Sequence, residues 1–135
     1  MVASYAPTPP TAGVERWGEC GPEAVIAALH HALATPPPAL CRRLRLVRGR
    51  PMSTEELRAS AALCRLHSGS TQVAEPLRFR HFVRISHQLG IGITVLERGA
   101  AGHYCAQALL PACPLQIAVA WEAGHWVPVA EVRYE

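Results

Sequence analysis

The sequence predicts an α+β domain, with helices first and a small, mainly antiparallel sheet last. Three observations predict it. Up to Gly90, apolar residues recur at helical spacing: Val25, Ala28, Leu29, Ala32; Leu40, Leu44, Val47; Leu57, Ala61, Cys64; Phe82, Ile85, Leu89. Beyond Gly90, short apolar runs separated by turn residues take over. The length, 135 residues, is that of one domain.

Residues 1–13 carry three prolines and read as an extended lead-in, docked loosely or disordered, ahead of a single domain over 14–135. The first helix is predicted over Pro22–Leu33, with Pro22 in the tolerant first turn and Glu23 at the positive helix end. Thr35-Pro36-Pro37-Pro38 stops it. A second helix is predicted over Pro38–Val47, broken by Gly49-Arg50-Pro51. Ser53 or Thr54 caps a third, with Glu55 and Glu56 in its first turn. His67–Thr71 reads as a polar loop, and a fourth helix as Leu77–Leu89. Strands follow at Ile91–Leu96, His103–Leu110, Leu115–Trp121 and His125–Val132. Glu122-Ala123-Gly124 joins the last two as an antiparallel hairpin.

Composition excludes several functions. The chain has no Lys, Asp or Asn, so its positive charge is all Arg and its negative charge all Glu. A phosphate-binding Walker loop lacks its Lys, an EF-hand lacks its Asp and Asn, and a triad with Asp or Asn as third member is impossible. A net charge of +3 permits an acidic partner without demanding nucleic acid. Arg42–Arg50 holds five arginines, but no aromatic residue interleaves them, so base stacking is not supported. No apolar run has the length of a membrane span. The five cysteines are odd in number and irregularly spaced, which fits a reducing, cytoplasmic setting with free thiols. Cys64 and His67 have zinc-ligand spacing with no matching second pair, so no metal and no cofactor is expected.

The sharpest local signal is Trp17-Gly18-Glu19-Cys20-Gly21-Pro22-Glu23. It sets a thiol at a helix N-terminus, where the dipole and unpaired N–H groups favour a thiolate. Backbone at Gly18, Glu19 and Gly21 can supply an oxyanion hole, and the two glycines let a carbonyl approach closely. The plain alternative is an inert cysteine packed at a helix start. A nucleophilic thiol needs a base. His125, opening a strand after a Gly turn, is the first candidate and His103, also after a Gly turn, the second. His30 and His31 fall late in the first helix, and His81 and His87 on the solvated edge of the fourth.

These motifs resemble the ovarian-tumour (OTU) cysteine peptidases. The shared order is Cys-Gly-Pro at a helix start, a helix ending in Leu-Gly-Ile before an Ile-Thr-Val-Leu strand, an apolar strand, a short turn and His-Trp. The compact OTU-like endopeptidases of tymovirus-type plant viruses are the nearest likeness, over most of residues 17–130. The resemblance implies a papain-like fold with Cys20 as nucleophile and His125 as general base. It also implies cleavage of viral replication polyprotein junctions, removal of ubiquitin from ubiquitinated proteins, and a host-cytoplasmic location near replication membranes. The family's Asp three residues before the Cys is Trp17 here, and its Asn or Asp two residues after the His is Val127, which points to a dyad. Its Gly-Pro-Pro before the His is Glu122-Ala123-Gly124. Two other readings stand beside this one: a bacterial-type double-glycine peptidase, whose usual Gln is missing from residues 1–71, and a non-enzymatic Arg-rich adaptor.

Overall fold

The computed structural model describes residues 2–7, 19–33, 36–47, 52–70, 72, 75–99 and 102–134. Nine elements run in the order β1 (Val2–Pro7), α1 (Cys20–Ala32), α2 (Pro38–Leu44), α3 (Thr54–Ser68), α4 (Phe79–Leu89), β2 (Gly92–Arg98), β3 (Tyr104–Leu109), β4 (Gln116–Glu122) and β5 (His125–Tyr134). The architecture is α+β, with helices packed on a small barrel-like sheet.

Each helix has a local reason for its limits. α1 begins at Cys20 rather than Pro22, because Glu23 N–H already bonds to Glu19 C=O at 3.0 Å. α2 stops at Leu44, short of the predicted Val47. Arg45 turns left-handed and Leu46 N–H bonds back to Cys41 C=O at 3.0 Å, a C-terminal cap. Ser53 caps α3 through its hydroxyl, which accepts from Glu56 N–H at 3.2 Å. α3 continues through the predicted loop start at His67 to Ser68 and ends at Gly69, where φ is +74°. α4 starts at Phe79 rather than Leu77: Arg78 is its N-cap residue and donates its N–H to His81 Nδ1 at 2.8 Å.

The strands close in the order β1-β3-β2-β4-β5 and back to β1. All pairings are antiparallel except β2 with β4, where Val95 stands beside Val119. β2 and β4 are parallel because β3 turns back on one edge of β2 and β4 returns on the other. The β4–β5 hairpin pairs Glu122 with His125 around Ala123 (φ +51°) and Gly124 (φ +86°). Two left-handed residues make the tight turn that suits twisted strands.

One sheet face, with Ile93, Val95, Ile117, Val119 and Trp126, packs on Val25, Ile26, Leu29, Leu57 and Phe82 from the helices. The other encloses Ala3, Leu96, Ala118, Ala120 and Val129. The second set explains β1. Val2–Pro7 is a strand, paired with β3 on one side and β5 on the other. Residues 8–13 lie outside the described residues.

A polar cluster pins β1 at one end. Glu122 accepts from Tyr5 Oη at 2.9 Å, from Tyr104 Oη, and from Arg98 at 3.3 Å. The two tyrosine rings meet edge-to-face at 5.1 Å, and the Arg98 guanidinium lies 4.9 Å over Tyr104. Burial, then the hydrogen bond to Glu122, pushes the Tyr5 phenol from 10.0 up to about 12. A raised folded value means that the unfolded chain loses its proton first. The contribution of Tyr5 is therefore whole below pH 10 and fades as pH rises toward 12. Melting curves from pH 9 to 12 should fall more steeply for the native chain than for Tyr5→Phe. Parallel curves would show that the Tyr5–Glu122 bond contributes nothing.

Candidate functional site

Cys20 opens a 13-residue helix and is 7% exposed. Glu19 precedes it as the N-cap residue with no side-chain cap bond, so the first N–H groups of α1 are not claimed by that carboxylate. Gly18 and Trp17 lie outside the described residues. Gly21 is required by packing, not by its backbone angle: a Cβ there would stand 2.7 Å from Leu77 Cγ. Leu77 is itself buried, and its carbonyl accepts from Trp126 Nε1 at 2.8 Å. The start of α1, the segment before α4 and the start of β5 thus meet at one end of the domain.

α3 brings a side chain there that the sequence reading did not single out. Arg65 is 7% exposed, and its charge acts on Glu19, Cys20 and Cys64. Nη1 donates to Ser70 Oγ at 3.1 Å and to Gln72 C=O at 3.2 Å. Nε and Nη2 are buried with no hydrogen-bond partner among the described residues. Burial works against the charge on Arg65, while Glu19, Cys20 and Cys64 favour it. The sequence held a signal for this. Arg65 follows Ala61 by four residues, so it falls within the apolar stripe of α3 rather than on its wet side.

His125 is the first residue of β5 and is half-buried. It pairs with Glu122, while Trp126 pairs with Trp121. Strand alternation sets His125 on the Glu122 face and Trp126 on the helix-side face, in the same buried cluster as Cys20. His125 and Cys20 therefore share one end of the domain but stand on different faces of β5. Glu122 is committed to Tyr5, Tyr104 and Arg98, and the exposed Glu131 to Arg133 at 3.3 Å.

The remaining candidates separate clearly. His103 is exposed in the turn before β3. His30 and His31 sit in the last turn of α1. His81 is not on a solvated edge: it is half-buried, and burial followed by the nearby Arg80, Arg65 and Arg78 keeps it below the usual histidine range. None of the five cysteines is in a disulfide. Cys64 is fully enclosed, and burial pushes its thiol up to about 12 despite Arg65. Among the described residues, no group of three or more His, Cys or Glu could hold a metal, and no helix is long and apolar enough to cross a membrane.

A hollow of about 320 Å³ opens beside Leu77 and Trp126, lined also by Phe79, Trp121, Arg78 and Glu97. Trp126 stacks edge-on to Trp121 at 5.0 Å and to Phe82 at 4.6 Å, so the aromatic wall of the hollow is held rigidly. Cys20 does not line this hollow; Leu77 does, and it packs against Gly21 in the first turn of α1.

Among solved structures, one titled "Structure of OTUD1 OTU domain" is similar, with a TM-score of 0.42 and 14% identity over 87% of this chain and 83% of that chain. No protein-family model matches the chain, and no curated protein matches it.

Proposed function

We propose that this domain is a thiol hydrolase that cleaves peptide or isopeptide bonds following glycine, with Cys20 as nucleophile and His125 as general acid–base. One observation supports the reading: a thiol at the first position of a 13-residue helix whose N-cap residue makes no side-chain cap bond, next to Gly21, which packs against Leu77 of the wall of a hollow. Helix N–H groups at Glu19 and Gly21 are the oxyanion donors. Attack by the thiolate on the scissile carbonyl gives an acyl-enzyme and an amine, and water then releases the acid. His125 delivers the proton to the departing amine. To do so its ring must come round the strand end past Trp126, next to the exposed two-residue turn Ala123-Gly124.

The finer reading names ubiquitin as substrate and viral polyprotein junctions as a second one served by the same site. Its support is the sequence resemblance described above. A ubiquitin carrying a C-terminal electrophile tests it by intact mass: the expected result is one adduct, mapped to Cys20. A chain whose Cys20 reacts with iodoacetamide but not with this probe would remove ubiquitin from the reading and leave a peptidase of another specificity.

A further inference from the structure

The hollow beside Leu77 has a floor built by three adjacent strands. Trp121 on β4 pairs with Trp126 on β5. Glu97 on β2 follows Leu96, whose parallel partner is Ala120, the residue before Trp121. Strand alternation turns Glu97, Trp121 and Trp126 to one side of the sheet, so a carboxylate ends a row of two indoles. The facing wall is the segment before α4, with Leu77, Arg78 and Phe79. Trp126 spends its one donor on the Leu77 carbonyl, so it offers the hollow only its ring. Glu97 is exposed and has no ion-pair partner among the described residues. Its neighbour Arg98 takes the other side of the strand and is held by Glu122.

We propose that this hollow binds the guanidinium of an arginine carried by an extended peptide. Indole faces attract a cation, and a carboxylate at their edge adds to the same preference. A guanidinium is flat and weakly hydrated, so it stacks on an indole more readily than an ammonium does, and its fork of N–H groups matches a carboxylate. A trimethylated ammonium would stack but has no N–H to give Glu97. Arg78, on the facing wall, repels a cation placed near it. It therefore seats the guanidinium at the Glu97 end and keeps its own donors for carbonyls of the same peptide. The volume, about 320 Å³, admits one long side chain with its peptide units and no folded surface. Cys20 does not line the hollow, so the inference stands without the hydrolase reading.

The test is a titration of the full chain with Nα-acetyl-arginine amide, read by NMR at the indole N–H signals of Trp121 and Trp126, each assigned through its Trp→Phe variant. Both signals should shift saturably. Nα-acetyl-citrulline amide, which has the same shape without the charge, should move neither, and Nα-acetyl-lysine amide should bind more weakly. Glu97→Gln should weaken arginine binding about tenfold or more, the loss expected for a charged hydrogen-bonded contact. Glu97 is exposed, so this variant keeps the fold. Trp121→Leu should abolish the shift at Trp126; if it fails to fold by circular dichroism, Glu97→Gln decides. Equal shifts from the arginine and citrulline compounds, no saturable shift, or native affinity in Glu97→Gln overturns the proposal. Saturable binding of Nα-acetyl-glutamate amide in place of the arginine compound also overturns it and gives the hollow to an acidic peptide through Arg78. Binding of the arginine compound by Cys20→Ala should match that of the native chain, which keeps this result separate from any outcome at the thiol.

Discussion

Cys20→Ala is expected to abolish hydrolysis, a loss on the order of 10⁴ to 10⁶-fold in kcat measured on a fluorogenic full-length ubiquitin substrate. The reason is chemical. Cys20 is the thiol that opens a helix: Cys41 lies inside α2, Cys64 is sealed and carries its proton, Cys105 lies on β3 and Cys113 between β3 and β4. His125→Ala should fall nearly as far, because nucleophile and proton donor act as a unit. His103→Ala should retain turnover, since His103 stands in the turn before β3. Glu131→Gln should cost only a few-fold, against the ~10⁴-fold loss when a true orienting carboxylate is altered. Substantial turnover by Cys20→Ala would end the nucleophile assignment. A dead His81→Ala beside an active His125→Ala would move the base to α4, where His81 already lies in the field of Arg65.

Trp126→Ala is expected to cost about 3 to 5 kcal/mol of folding stability, the largest effect of any single replacement proposed. The indole is 3% exposed, stacks on both Phe82 and Trp121, and holds the Leu77 carbonyl. Truncation leaves a cavity between sheet and helices and strands a buried acceptor, and both terms act in the same direction. Trp126→Phe keeps ring contact but loses the hydrogen bond, so it should cost only about 1 to 3 kcal/mol. Urea unfolding checks both: the midpoint should drop by more than about 1 M for Trp126→Ala with an unchanged slope. A drop below a few tenths molar would show that the end of β5 is not part of the cooperative core. The Leu77 link gives this variant a second consequence. Leu77 rests on Gly21, so loosening Trp126 also loosens the first turn of α1.

Much of the fold was legible in the chain because it depends on neighbours in sequence. The inward stripe Leu57, Ala61, Cys64 is buried on α3, and Phe82, Ile85 and Leu89 are buried on α4. Ser53 caps where a serine before two glutamates is expected to cap. Ala123-Gly124 turns the hairpin. These features follow from periods of 3.6 and 2 and from short-range hydrogen bonds, which a linear pattern displays directly. Cys20 at a helix start belongs to the same class, with the helix beginning at Cys20 rather than at the expected Pro22.

What the tertiary structure decided involves residues far apart. The proline-rich start gives no sign that Val2–Pro7 closes a barrel, because its β5 partners lie at the far end of the sequence and the Tyr5–Glu122 bond spans 117 residues. The parallel β2–β4 pairing is likewise a matter of which edge a returning chain finds free. Alternation alone says that His125 and Trp126 face opposite ways. Only the packing of α1 and α4 on the sheet says that Trp126 takes the side of Cys20. Arg65 reads in sequence as one more arginine among thirteen. Its burial exists only because α3 packs against α1, elements far apart in the chain, and burial removes the water that would otherwise screen its charge.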